Sequence, residues 1–232
     1  MKSIVLLFVS LFLCGPLLAQ KVPPLPAEGA TLADFIPKGW HLLDSAMGEI
    51  NRDGRKDAVL ALEANRVSLH RYGPSAIDTF SAKARVLLVL LSNAKGKLAV
   101  HYASDKFIPY RLGTWEPLNG ASIPRPGILT LSFAHQYPRD SEYGEHVDYT
   151  FRFEDGALVL IGADYEANVG RSWEYESYSY NFLTGKRSKV VGDEENNTSG
   201  KPTWRSFKKR RLLLATMKGP FTTEMADDQI AL

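Results

Sequence analysis

Cysteine is almost missing from this chain: Cys14 is the single one in 232 residues, and it sits in the first apolar stretch. A disulfide framework and cysteine-ligated zinc are thereby excluded. Long hydrophobic runs are missing too. The longest, residues 4–13, is broken by Ser10 and falls short of the roughly 20 residues that a membrane span needs. Charge of one sign is not in excess, since the formal net charge is +2, so no global field draws in nucleic acid or an acidic membrane. The five histidines, His41, His70, His101, His135 and His146, show no paired zinc-ligand spacing. No Gly-x-Ser-x-Gly elbow, phosphate-binding loop or dinucleotide fingerprint occurs, and no segment carries a sustained helical stripe.

What the chain does have begins with an export pattern. Lys2 gives a positive start, residues 4–13 an apolar centre, and Leu17-Leu18-Ala19 a cleavage site before Gln20, so residues 1–19 read as a signal peptide and the protein as periplasmic or secreted. Cys14 followed by Gly15 offers a lipoprotein alternative, against which stands the large Leu13 just before it. Residues 20–30, with Pro23, Pro24, Pro26 and Gly29, are expected to form an extended tether. The remainder, residues 31–232, is expected to be a single β domain. At its start, Thr31 and Asp34 have capping-box spacing and Pro37 stops the turn, which predicts a short helical lid with Phe35 and Ile36 packed on a sheet.

From Trp40 onward the period is that of strands. They are expected over 41–47, 58–63, 67–72, 85–91, 97–104, 128–135, 147–154, 157–163, 173–183, 187–191 and 210–217. Asp155-Gly156 is a strong two-residue hairpin signal because both residues accept positive φ, and 93–96 and Thr184-Gly185 are weaker ones. The fold class is all-β with mostly antiparallel sheets, and the pattern leaves sandwich, barrel and partial propeller open. Glycine turns recur at irregular spacing and no second acidic loop occurs, so the sequence does not demonstrate a regular propeller.

The most chemical stretch is 48–57, Gly-Glu-Ile-Asn-Arg-Asp-Gly-Arg-Lys-Asp. Counting from Glu49, oxygen-bearing side chains fall at positions 1, 3, 5 and 9 (Glu49, Asn51, Asp53, Asp57), Gly54 permits a sharp turn, and the carbonyl of Arg55 stands at position 7. That alternation suits calcium, which takes six to eight hard oxygens. Position 12 is Leu60, where an EF-hand needs glutamate, and strands flank the loop. The stretch resembles the calcium loop of FG-GAP and VCBS-type β repeats, with residues 35–60 similar to secreted bacterial proteins that carry one such loop. The resemblance implies Asn51, Asp53 and Asp57 as ligands, with Glu49 departing from the family's aspartate. A solvated Asn-Arg-Asp-Gly turn that binds nothing is the alternative.

Three further groups are candidates. Glu142, Glu145, His146 and Asp148 gather around Gly144 as an acid/base or cation group, or as a polar hairpin loop. Trp173, Tyr175, Tyr178 and Tyr180 form a candidate ligand surface for sugar rings; strand alternation puts the first two on one face and the last two on the other, with Glu174 and Glu176. Cross-strand aromatic packing needs the same residues. Lys208 to Arg211, with Trp204 and Phe207, are basic enough for an anionic polymer, while 193–195, Glu224, Asp227 and Asp228 stand ready to neutralise them. The reading is an exported calcium-binding β domain acting as a binding or envelope-associated structural module, with a glycan or protein partner in the envelope. Its alternative is a periplasmic or secreted hydrolase of envelope glycans, working through Glu142 and Glu145 or through the Tyr175–Glu176 region. Such an enzyme needs two carboxylates about 5 to 9.5 Å apart in a cleft.

Overall fold

The computed structural model describes residues 22–72, 78–111, 116–136, 144–168, 173–225, 228 and 230–232. The expected signal peptide, with Cys14, lies outside them, as do Glu142 and Asp227.

Two antiparallel sheets carry the fold. The first runs in the order β1 (Glu28–Gly29), β5 (Leu98–Ser104), β4 (Asp78–Ser92), β3 (Asp57–Tyr72), β2 (Trp40–Gly48). The second runs β12 (Thr198–Ser199), β11 (Lys186–Asp193), β10 (Glu174–Asn181), β9 (Ala157–Asn168), β8 (Gly144–Glu154), β7 (Ile128–Gln136), β6 (Leu118–Arg125), with β13 (Thr203–Ser206) also on β11. A two-stranded ribbon, β14 (Glu224–Met225) and β15 (Ile230–Ala231), closes the chain. From β2 to β5 and from β6 to β11 each strand pairs with its sequence neighbour, so each sheet is a meander. All-β is correct, and the arrangement is sandwich-like, with no closed barrel among the described residues.

The reason is visible in β3 and β4. Val59, Ala61, Leu87 and Val89 face the second sheet and join Leu129, Leu131, Phe133, Val147, Tyr149 and Phe151 in the main core. Ala58, Leu60, Leu62, Val86, Leu88 and Leu90 point the other way, into a second core closed by Phe35 with Val22, Leu25, Leu32, Ile36 and Trp40. A strand covered on both faces needs apolar residues at every position, which is why Ala58 to Leu62 is a continuous run rather than an alternation. Each fully buried leucine there contributes about 1.5–3 kcal/mol relative to exposure.

The N-terminal expectations need one correction. Residues 20–21 lie outside the described residues, and from Val22 the expected tether is docked on the sheet, with Glu28–Gly29 paired to Ala99 and Leu98. The prolines are interleaved with Val22 and Leu25, whose burial anchors the segment. The lid is a single 3-10 turn, Leu32–Phe35, with Phe35 fully buried. Its Asp34 accepts from the N–H of Ala30 (2.7 Å) and of Thr31 (2.9 Å).

Two expected strands, 58–63 and 67–72, are one strand with a register shift between Glu63 and Val67. The strand expected over 210–217 is irregular chain with a lone bridge, Val159 to Leu213, and a 3-10 turn at Leu214–Thr216. Its apolar residues Leu212, Leu214 and Met217 join the main core without forming a ladder. β6 and β13 were not expected. Gly120 and Pro124 obscure the first, whose pairing with β7 breaks register twice. The Asp155-Gly156 turn is as expected, with φ of 50° and 76°.

Contacts from distant parts of the chain join the sheets. Asp44 of β2 accepts from the Ala121 N–H of β6 (2.7 Å), at a register shift that carries Asp44 across the seam. Fully buried Arg85 donates to Glu63 through Nε (3.0 Å) and Nη2 (2.7 Å), to Glu116 through both terminal nitrogens, and to the Pro109 carbonyl (3.1 Å). It thereby holds both ends of the crossover from the first sheet to the second. Burial alone would raise the Glu63 carboxyl, but the hydrogen bonds from Arg85 and Lys83 outweigh it and hold the group below the ordinary glutamate value.

Candidate functional site

The 49–57 loop joins β2 to β3, turning at Arg52 (φ 61°) and Gly54 (φ 81°). Its side chains are used on its own backbone. Glu49 accepts from the Gly54 N–H (2.8 Å), Asn51 Oδ1 from the Asp53 N–H (3.2 Å), and Asp53 Oδ1 from the Arg55 N–H (2.9 Å). Asp53 Oδ2 also accepts from the Asn51 amide (2.8 Å) and pairs with the Arg55 guanidinium. Desolvation pushes the Asp53 carboxyl up, but these donors together outweigh it, so its pKa lies below the usual aspartate value.

Asp57 has a different task. It is 0% exposed, and its oxygens accept from three backbone N–H groups: Ile50 (2.7 Å), Asn51 (3.2 Å) and Ser92 (2.8 Å). Ser92 ends β4, so this one carboxylate ties the loop to the neighbouring hairpin. Ser92 adds its hydroxyl to the Lys56 carbonyl, and its own carbonyl accepts from Arg55 Nε (3.1 Å). On the other side, Gly127 donates its N–H to the Glu49 carbonyl (2.8 Å) and Arg52 Nε reaches the Pro126 carbonyl (3.4 Å), both in the β6–β7 turn of the second sheet. Ile50, fully buried in the main core, pins the middle.

The fit to calcium is partial. Glu49, Asn51 and Asp53 follow the wrapping pattern of a cation loop, each giving one oxygen to a loop N–H and keeping further lone pairs. Asp57 is committed to backbone donors, and the positive charge facing Asp53 belongs to Arg55. Among the described residues no three of His, Cys, Asp and Glu converge as a metal-holding group.

The candidate ligand surface divides. Tyr178 and Tyr180 are 5% and 2% exposed and belong to the main core, with hydroxyls donated to Glu176 and Asp228 (2.7 Å each). They are structural because the chain after β13 folds back over the inner face of the second sheet. Trp173, 60% exposed, and half-buried Tyr175 remain accessible. Tyr175 lies across Gly192, where a Cβ would strike its ring.

The acid/base group also separates. Glu145 accepts from the Tyr165 hydroxyl (2.7 Å) on the inner face, near His135 (3.9 Å). His146 and Asp148 are on the outer face, beside Ser132 and Asn119. Ser132 Oγ and Asp148 Oδ1 both approach the same ring nitrogen, Nε2 of His146, at 3.5 and 3.1 Å. A relay needs the two partners on opposite nitrogens, so this trio lacks the arrangement that activates a nucleophile. Tyr175 and Glu176 are adjacent in β10 and so point to opposite faces.

Sequence reasoning missed Ser92, Arg85 and the buried Arg187–Asp228 pair, whose partners lie 35, 31 and 41 positions away. No local pattern marks such pairings. Comparison with known proteins gives no match to a family model, a curated protein or a solved structure. Among the described residues no helix is long and apolar enough to cross a membrane.

Proposed function

We propose an exported, periplasmic or secreted, binding or envelope-associated structural module in which the Glu49–Asp57 loop is a calcium-stabilised clip. One observation carries the reading: a nine-residue loop bonds simultaneously to the end of β4 and to the β6–β7 turn, so its rigidity is the rigidity of the seam between the two sheets. Glu49, Asn51, Asp53 and the Arg55 carbonyl would hold the ion, and Asp57 is the anchor beneath it. The ion would supply hard positive charge to a loop that otherwise uses the Arg55 guanidinium.

The test is thermal melting of residues 20–232 in EDTA and in calcium. For a site of about 10⁻⁴ M, about 1 mM free ion adds about 1.4 kcal/mol, a rise of roughly 3–6 °C for a chain of this size. Asp53→Ala abolishes the rise, and Arg55→Ala, which removes the competing cation while keeping the backbone carbonyl, enlarges it. No rise in the wild type and none in Arg55→Ala would discard calcium and leave a clip closed by arginine.

A further inference from the structure

We propose that the outer edge of the second sheet, around Trp204, binds an anionic polysaccharide, a sugar polymer that carries carboxylates. All four residues of β13 are exposed, and Trp204 is 67% exposed, the most exposed large apolar side chain described. Trp204 is directly opposite Ser188, and Lys186 is two residues along the same strand. Trp204 and Lys186 are therefore diagonal neighbours on one face, with backbone positions about 7–8 Å apart. Phe207 holds this edge in place by packing on Tyr180 and Phe182 in the core, at ring separations of 5.6 and 5.3 Å.

The tertiary structure removes two of the acids that the sequence sets against this basic region, while Glu224 stays beside Arg210, which donates to its carbonyl (2.8 Å). Asp228 is buried against Arg187 and the Tyr180 hydroxyl. Asp193 accepts from Asn196 at the far end of β11, seven residues from Lys186, or about 23 Å away. Lys189 is taken by Glu176, and Arg211 approaches Asp155 at 3.5 Å. Lys186, Lys201, Arg205 and Lys208 are left exposed, with no carboxylate partner among the described residues. An exposed indole diagonal to the unpaired Lys186 ammonium, with Ser188 and Ser206 on the same face, complements a sugar ring's apolar side, its carboxylate and its hydroxyls together, while Arg205 points to the opposite face across from Arg187.

Charge geometry limits the ligand further. Next to Ser188 on the same face comes Ser179, then Asp164 and Asp148, with Glu166 nearby, so the face turns acidic two strands inward. Double-stranded nucleic acid, with a charge every ~1.7 Å of axis, needs a longer basic track than this edge provides. A sugar chain running along β13, with one carboxylate per ring at most, meets only the basic strip.

The inference rests on the exported-module reading only for its choice of a sugar polymer. Its test is titration of the purified full chain with oligogalacturonate, with dextran, a single-stranded DNA oligonucleotide and phosphatidylglycerol vesicles alongside. Oligogalacturonate binds, dextran does not, and raising salt from about 50 to about 300 mM weakens binding. Trp204→Ala and the Lys186→Gln/Lys208→Gln pair each weaken it at least tenfold with unchanged melting temperature, whereas Trp204→Tyr retains most of it. No binding of oligogalacturonate, equal binding by the variants, or tighter binding of DNA or vesicles overturns the proposal. Loss of the calcium response would strike the clip and leave this binding in place; lost sugar binding with calcium response intact would strike this inference alone.

Discussion

Replacing Asp57 with alanine separates an anchor from a metal ligand. In the fold its carboxylate satisfies three backbone N–H groups, of which those of Ile50 and Ser92 are buried, at 2.7 and 2.8 Å. A hydrogen bond to a charged acceptor contributes about 1.5–3 kcal/mol, and a buried donor left unmade costs a similar amount. Asp57→Ala should therefore cost roughly 3–5 kcal/mol, counting the two buried donors and little for the longer bond from Asn51. That is a fall of roughly 6–20 °C in melting temperature, or a shift in urea midpoint of more than about 1 M at an ordinary slope. The loss must be present in EDTA, because the backbone donors are there with or without an ion. Hydrogen exchange at Ile50 and Ser92 should accelerate together. A cost below about 1 kcal/mol in EDTA would refute the anchor and return Asp57 to the ligands that the loop's resemblance implies.

Two further outcomes follow from buried polar groups. Glu63→Gln should be destabilising near neutral pH. The Glu63 carboxyl is depressed in the fold, so its stabilisation is present above the ordinary value of 4.5 and is lost as pH falls through the lowered folded value; the urea-midpoint gap between wild type and variant should close over that acid range and stay constant above it. A gap that widens toward acid would refute the Arg85 pairing as its source. Tyr149→Phe removes the hydroxyl that accepts the Phe221 N–H (3.1 Å) and should cost roughly 1–2 kcal/mol. It should loosen the C-terminal segment, read as faster proteolysis after residue 217 with the sheets intact; an unchanged cleavage rate would show that the segment is held by its apolar contacts alone.

The strands of the two meanders were legible where alternation, apolar runs and glycine turns coincide, as at Asp155-Gly156 and at 58–62. They were illegible where a strand carries Gly120 and Pro124, or where the apolar residues of 210–217 serve packing without a ladder. The 49–57 loop was legible as a tight acidic turn, because Gly54 and its alternating oxygens act on their own backbone. Which way Asp57 points was not, because its third partner is 35 positions away.

The sequence by itself determined the fold class, the mostly antiparallel character of the sheets and the sharpest reversals such as Asp155-Gly156, which depend on local spacing and on the φ that a residue tolerates. Only the tertiary structure decided that two sheets face one another, that β3 and β4 are covered on both sides, and that Tyr178 and Tyr180 are core while Trp173 and Trp204 are surface. It also decided which charges cancel. Asp228 spends its carboxylate on Arg187 and not on the basic run at 208–211, because the fold buries both groups and a buried charge left unpaired is costly, whereas the solvated run at 208–211 keeps its water.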